Sequence, residues 1–152
     1  SKFFASDLNK FLSAHKKHYD TVMLWSVIKS FKNWRKIISS SLKLSKKYLV
    51  FDVRVVKKKV EIFNVKNLNA TYSNVKGSQL YLGYNVLKNF LKNIKNDNIN
   101  FEIVAYNSPW GNNVYFKNRN YEKTFIVTVV IKKFKKKLKF YEQIPEELKY
   151  ER

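Results

Sequence analysis

Asp52 and Glu61 flank the run Lys57-Lys58-Lys59. If the chain doubles back there, the two carboxylates face each other across a hairpin. Paired acids of that kind hold the metal ions of metal-dependent nucleases, where the metal polarises a phosphoryl oxygen and activates water. The plainer reading is charge balance, because Asp52 stands beside Arg54 on a lysine-rich stretch. His15 and His18 are three apart on an expected helix and could share a metal with a carboxylate. No further ligand cluster lies near them, so they are expected as surface histidines. The chain has no cysteine, which excludes disulfides and thiolate metal sites. Its three glycines, Gly77, Gly83 and Gly111, are too few and too scattered for a Gly-rich phosphate loop or a nucleophile elbow. The expectation is a protein that is not an enzyme, with no catalytic residue, metal, cofactor or small-molecule substrate.

Three basic clusters carry the more informative chemistry. They are Lys57 to Lys59, the stretch holding Lys117 and Arg119, and the run with Lys132, Lys133, Lys135, Lys136 and Lys137. Aromatic residues lie beside them, among them Tyr115, Phe116, Phe134 and Phe140. Cations neutralise phosphates while aromatic faces stack on unpaired bases, the combination that suits single-stranded or irregular RNA. Those ten cations are the expected RNA contacts. Trp110, Tyr115 and Phe116 are the candidates for base stacking, although aromatics at alternating spacing more often fill a core. Trp110 sits in a Pro-Trp-Gly turn, where it either stacks or anchors the loop to a sheet.

The whole composition supports a polyanionic partner. Across 152 residues there are 31 Lys+Arg against 11 Asp+Glu, a formal net charge of +20. A compact domain with that charge repels itself unless a polyanion neutralises it, and counterion release from a phosphate backbone makes nucleic acid the natural partner. Only Arg35, Arg54, Arg119 and Arg152 are arginines, so 31 − 4 leaves 27 lysines. Lysine is a mobile point charge suited to phosphate, whereas base-edge reading favours the planar arginine fork. Backbone and shape recognition are therefore expected. Lysine, like Asn, Phe and Tyr, has A/T-rich codons, so genome base composition is an alternative source for part of the lysine excess. A hydrophobic fraction of 45% and an aromatic fraction of 16% are enough for a real core. No stretch approaches the ~20 apolar residues of a membrane span, the best run being Phe125 to Ile131. Ser1 to Ser6 lacks the layout of a secretory signal.

The elements that must position these residues follow from periodicity. Ser6 is expected to cap a helix over roughly 7–17, with Leu8, Phe11 and Leu12 on one face. Asp20 is expected to cap a longer helix to about 44, on the stripe Val27, Phe31, Trp34, Ile38 and Leu42. From Tyr48 the period becomes two, with Leu49, Phe51, Val53 and Val55 alternating in a half-buried strand. An extended pattern resumes at Val60–Val65. The lysines between them form either a hairpin tip or a charged stretch within one ribbon. Residues 66–77 are expected as loop. A helix capped by Ser78 to about Lys95 carries Tyr84, Leu87, Leu91 and Ile94. A strand follows with Phe101, Ile103 and Ala105 on one face. The strand Tyr121–Lys133 is apolar or Thr on both faces, which marks a central strand. The fold class is α+β, a small sheet compatible with a ferredoxin-like arrangement, with N-terminal helices and a basic C-terminal extension. The divisions are 1–47 (N-terminal helical extension), 48–133 (α+β core domain) and 134–152 (basic then acidic tail).

The bias, charge and lack of cysteine resemble ribosomal proteins encoded by AT-rich mitochondrial genomes. Within that group, Phe101-Glu-Ile-Val-Ala-Tyr-Asn-Ser108-Pro109 and Tyr121-Glu122-Lys-Thr-Phe-Ile-Val-Thr128 resemble the small-subunit ribosomal protein S-ten family. That family has a strand ending in Ser-Pro, a basic loop, and a second strand led by an aromatic and Glu. The resemblance covers this stretch alone. Trp110 stands where the family has His, and the connecting loop is longer. It implies a structural constituent of a mitochondrial ribosome, with rRNA and neighbouring ribosomal proteins as partners and RNA contacts by Lys117 and Arg119 in a ferredoxin-like ββ arrangement. Two other classes remain: a DNA-binding protein or metal-dependent nuclease of an AT-rich virus or plasmid, and a basic assembly subunit of a membrane-associated complex.

Overall fold

A computed structural model of the chain describes residues 7–57, 59–63, 68–70, 80–94, 99–107, 113–116, 122–133 and 141–149. Helices α1 (Leu8–Ala14), α2 (Trp34–Leu44), α3 (Tyr84–Lys92) and α4 (Glu146–Lys149) accompany strands β1 (Tyr19–Leu24), β2 (Ser45–Val56), β3 (Glu61–Ile62), β4 (Leu68–Ala70), β5 (Tyr81–Gly83), β6 (Ile99–Asn107), β7 (Asn113–Phe116), β8 (Glu122–Lys133) and β9 (Tyr141–Gln143). The class is α+β, as the patterning indicates. The main sheet is mixed and runs β3-β5-β2-β8-β6-β9. β1 lies parallel to the first part of β2, from Tyr19↔Ser45 to Leu24↔Phe51. β5 takes over on the same edge at Val55↔Leu82.

β2 and β8 form the spine, antiparallel from Tyr48↔Lys132 to Val56↔Thr124. β6 completes it on the other side of β8, from Ile99↔Lys133 to Asn107↔Phe125. Period two puts alternate residues on opposite faces. On one face Leu49, Phe51, Val53 and Val55 meet Phe125, Val127, Val129 and Ile131, then Phe101, Ile103 and Ala105, all buried. The helices described pack here. Trp34, Ile38 and Leu42 of α2, Leu87 and Leu91 of α3 and Leu148 of α4 share this core, and Leu8 and Leu12 of α1 pack at its margin. No helix among the described residues is long and apolar enough to cross a membrane.

Several expectations are corrected. The helix expected from Asp20 is a strand followed by a short 3₁₀ turn, Ile28–Ser30, and α2 begins only at Trp34. Pairing with β2 outweighs helical periodicity there: Val22 and Leu24 lie opposite Leu49 and Phe51, and tertiary context routinely overrides local propensity. In α1 the cap is Asp7, whose carboxylate accepts the Lys10 N–H at 3.0 Å; Ser6 lies outside the described residues. α3 starts six residues after Ser78, because Tyr81–Gly83 joins the sheet first; Ser78 is likewise outside them. Within 1–47, expected as an extension, residues 19–24 form β1 and Trp34, Ile37, Ile38 and Leu42 lie in the core. Within 134–152, β9 pairs parallel with β6 and Leu148 is buried. β1-α2-β2 is a βαβ unit with its strands directly adjacent, whereas the ferredoxin-like unit is split by an intervening strand.

Candidate nucleic-acid interface

The second face of the sheet carries no helix among the described residues. Registered rows cross it from edge to edge. Met23, Val50, Val130 and Glu102 form one row that ends on Tyr141. Asp52, Thr128, Val104 and Gln143 form the next, and Arg54, Ile126 and Tyr106 a third. Thr21, Tyr48, Lys132 and Asn100 bound the far side. One corner is closed by a small cluster of Val56 and Tyr81 with Val60 and Ile62 against it. Among the described residues, the large apolar side chains that stay most exposed belong to this face or its rim: Met23 at 61%, Trp25 at 58%, Tyr141 at 53% and Tyr106 at 40%. Single exposed apolar residues need no explanation; these four share one face or its rim, with Met23 and Tyr141 at opposite ends of one row.

Trp25 owes its place to a turn. β1 ends at Leu24, opposite Phe51, and Ser26 then takes a positive φ of 56°. For a residue with a Cβ that conformation costs on the order of 1–3 kcal/mol unless the surroundings enforce it. Asp52 enforces it, its Oδ1 accepting the Ser26 N–H. The carboxylate therefore pins the turn that lifts Trp25 off the sheet. Between this turn and Tyr106 lies a cleft of about 320 Å³, with Lys29, Asp52, Arg54 and Ile126 in its lining. Its size falls in the usual range for ligand clefts, about 300–1,000 Å³. Arg54 makes no ion pair or hydrogen bond with the described residues.

The expected contact residues fare differently. Lys132 lies on the open face and pairs with Glu102 at 2.6 Å, and the Glu102 hydrogen bond holds its ammonium above the usual lysine range. Lys133, next along β8, points the other way. Its Nζ donates to the Leu42 and Ser45 carbonyls at 2.6 and 2.5 Å, closing the C-terminal end of α2, where a cation complements the exposed carbonyls. Burial pushes its ammonium down. Lys57 is half-buried and Lys59 exposed. Lys57 also lies near Glu147, whose carboxyl is lowered first by the Lys123 hydrogen bond and only slightly by the field of Lys57. Lys58, Trp110, Lys117, Arg119, Lys135, Lys136 and Lys137 lie outside the described residues, as do the side chains of Tyr115 and Phe116.

The acids of the hairpin reading do not meet. β3 pairs with β5, and β5 lies between it and β2, so the lysines join neither a β2–β3 hairpin nor one continuous strand. Glu61 lies on the helix-bearing face, where its carboxylate accepts from the Trp34 indole N–H at 3.1 Å and from both Arg35 terminal nitrogens at 2.6 Å. Asp52 is on the opposite face. His15 is stacked between Phe11 and Tyr19 and shares a 2.6 Å hydrogen bond with the Tyr19 hydroxyl. No cluster of metal-ligating side chains occurs among the described residues.

Trp25, Arg54 and Tyr106 line the cleft and were not among the expected contact residues. Trp25 fell inside the expected helix, off its apolar stripe. The available signal was the alternation on β6 itself: with Phe101, Ile103 and Ala105 inward, Tyr106 had to face the other way. No family model, curated protein or solved structure matches the chain.

Proposed function

We propose that this chain is a structural, RNA-bound protein of a ribosome, of the kind that AT-rich mitochondrial genomes encode, and that the helix-free sheet face is its RNA surface. The carrying observation is the coincidence of that face, with Met23, Trp25, Tyr106 and Tyr141 exposed, and a chain of net charge +20. Aromatic side chains on a sheet stack unpaired bases, and the surrounding cations neutralise the backbone. The work is shape complementarity and charge neutralisation, without turnover. The separation of Asp52 and Glu61 onto opposite faces supports this reading over the nuclease one. The antiparallel pairing of β6 with β8 is compatible with the strand order of the S-ten resemblance, although the adjacent β1 and β2 depart from the ferredoxin-like arrangement it implies; the small subunit, with rRNA and neighbouring ribosomal proteins as partners, is proposed on that resemblance alone.

Sedimentation of a lysate at low salt tests the proposal. The native protein is expected to co-migrate with ribosomal particles and to leave them as salt rises. Recovery as a free protein, or in a membrane-associated complex, overturns the ribosomal assignment.

A further inference from the structure

The cleft between Trp25 and Tyr106 has a more particular character than a stacking surface. It holds a carboxylate and cations side by side: Asp52 and Arg54 on the same face of β2, with Lys29 entering from the 3₁₀ turn. One Asp52 oxygen takes the Ser26 N–H. A carboxylate offers about four lone-pair sites, so acceptor capacity remains after the turn is satisfied. Trp25, on the turn beyond β1, supplies an exposed aromatic face at the rim.

We infer that this cleft is a nucleotide subsite that selects an unpaired guanine in an RNA strand, and the inference rests on the sheet face being the RNA surface. Of the four bases, guanine presents two adjacent donors, N1–H and N2–H, beside an acceptor, O6. Asp52 accepts from the two donors, and Arg54 or Lys29 donates to O6. Uracil places a single donor between two carbonyls, which a carboxylate repels. Adenine and cytosine each pair one amino donor with a ring nitrogen acceptor that faces the carboxylate unfavourably. Trp25 stacks on the base face, a contact that tolerates any base and so adds affinity without choice. Choice therefore belongs to Asp52.

The test uses the full chain and heptamer RNAs of uridine with G, A, C or U at the centre, with binding read from tryptophan fluorescence or anisotropy. The G oligomer is expected to bind at least about tenfold more tightly than the other three, the scale of one good bidentate base contact. Asp52→Asn keeps an acceptor for the Ser26 N–H but presents an NH₂ to the base. It is expected to lose the preference, the affinities for the four oligomers converging. Circular dichroism checks that variant's fold, and Ser26→Gly with Asp52→Asn removes the turn's need for the carboxylate. Trp25→Ala is expected to weaken all four oligomers alike. Equal affinity for the four bases, or a preference that survives Asp52→Asn, overturns the guanine subsite and leaves the RNA surface standing. GMP alone binding as tightly as the G oligomer overturns the strand assignment. Binding to none of the oligomers overturns both the subsite and the proposed RNA surface.

Discussion

Glu61 takes three hydrogen bonds at once, two from Arg35 and one from the Trp34 indole. That arrangement ties the end of β3 to the start of α2. The Arg35 hydrogen bond, and behind it that of Trp34, hold the carboxyl below the ordinary glutamate range. A carboxyl depressed in the fold adds stability above its unfolded pKa and loses it as pH falls through the folded value. Glu61→Gln is therefore expected to destabilise the protein at neutral pH. Both partners are more than a third exposed, so the ion-pair part is worth about 1 kcal/mol or less. Urea melts at several pH values should show the gap between wild type and variant closing below the usual glutamate pKa; a gap independent of pH would assign the loss to packing. Glu142 makes the comparable tie at the other edge, accepting from Tyr84 and Lys88. Burial, and then the Glu142 hydrogen bond, push the Tyr84 hydroxyl up. Tyr84→Phe should cost about 1 kcal/mol in the same assay, and no loss at all would mean that the Lys88 ion pair and the backbone pairing hold β9 without it. At this scale the sequence showed which residues carry charge but not their partners, since Asp52 and Glu61 are separated by a strand, β5, that comes later in the chain.

Elements with an unambiguous period were legible. β2, β6 and β8 each alternate, and each forms close to where its pattern lies. The apolar stripe of α2 is buried from Trp34 onward, and Tyr84, Leu87 and Leu91 of α3 are buried together. β1 was not legible. Val27, Phe31 and Trp34 continue a helical stripe upstream of α2, and only the presence of β2 alongside selects extended backbone for Tyr19–Leu24. Trp25 was missed for the same reason, because its exposure follows from a turn between two elements that periodicity fused into one. Adjacent residues of β6 give a direct check on the two faces. Ile103 is fully buried, and Ile103→Ala is expected to cost about 2–5 kcal/mol in a denaturant melt. Val104, on the open face, should cost under about 1 kcal/mol when changed to Ala. Equal losses would mean that the open face is covered.

At the scale of the whole molecule, six of the acids are already paired within the chain. Asp20, Glu61, Glu102, Glu142, Glu146 and Glu147 each pair with a cation of the same chain, and the net charge of +20 remains. The proposed RNA would supply the neutralisation. With roughly 6–10 phosphate contacts, RNA affinity should fall about three to five decades between about 50 and 200 mM salt. A titration across that range in which affinity barely changes would remove phosphate neutralisation as the source of binding. Composition alone leads to the proposed polyanionic partner, whereas the open face proposed to meet it joins residues from β1, β2, β6, β8 and β9 and shows in no single segment.

The position of β8 also governs the order of events during synthesis. β2 leaves the exit tunnel as an apolar, β-branched ribbon, yet its long antiparallel neighbour is Glu122–Lys133, some way downstream. Until β8 emerges, one border of β2 has unsatisfied amides and carbonyls, a template for joining another nascent copy. Closure is thus a late, non-local step, the kind that slows folding.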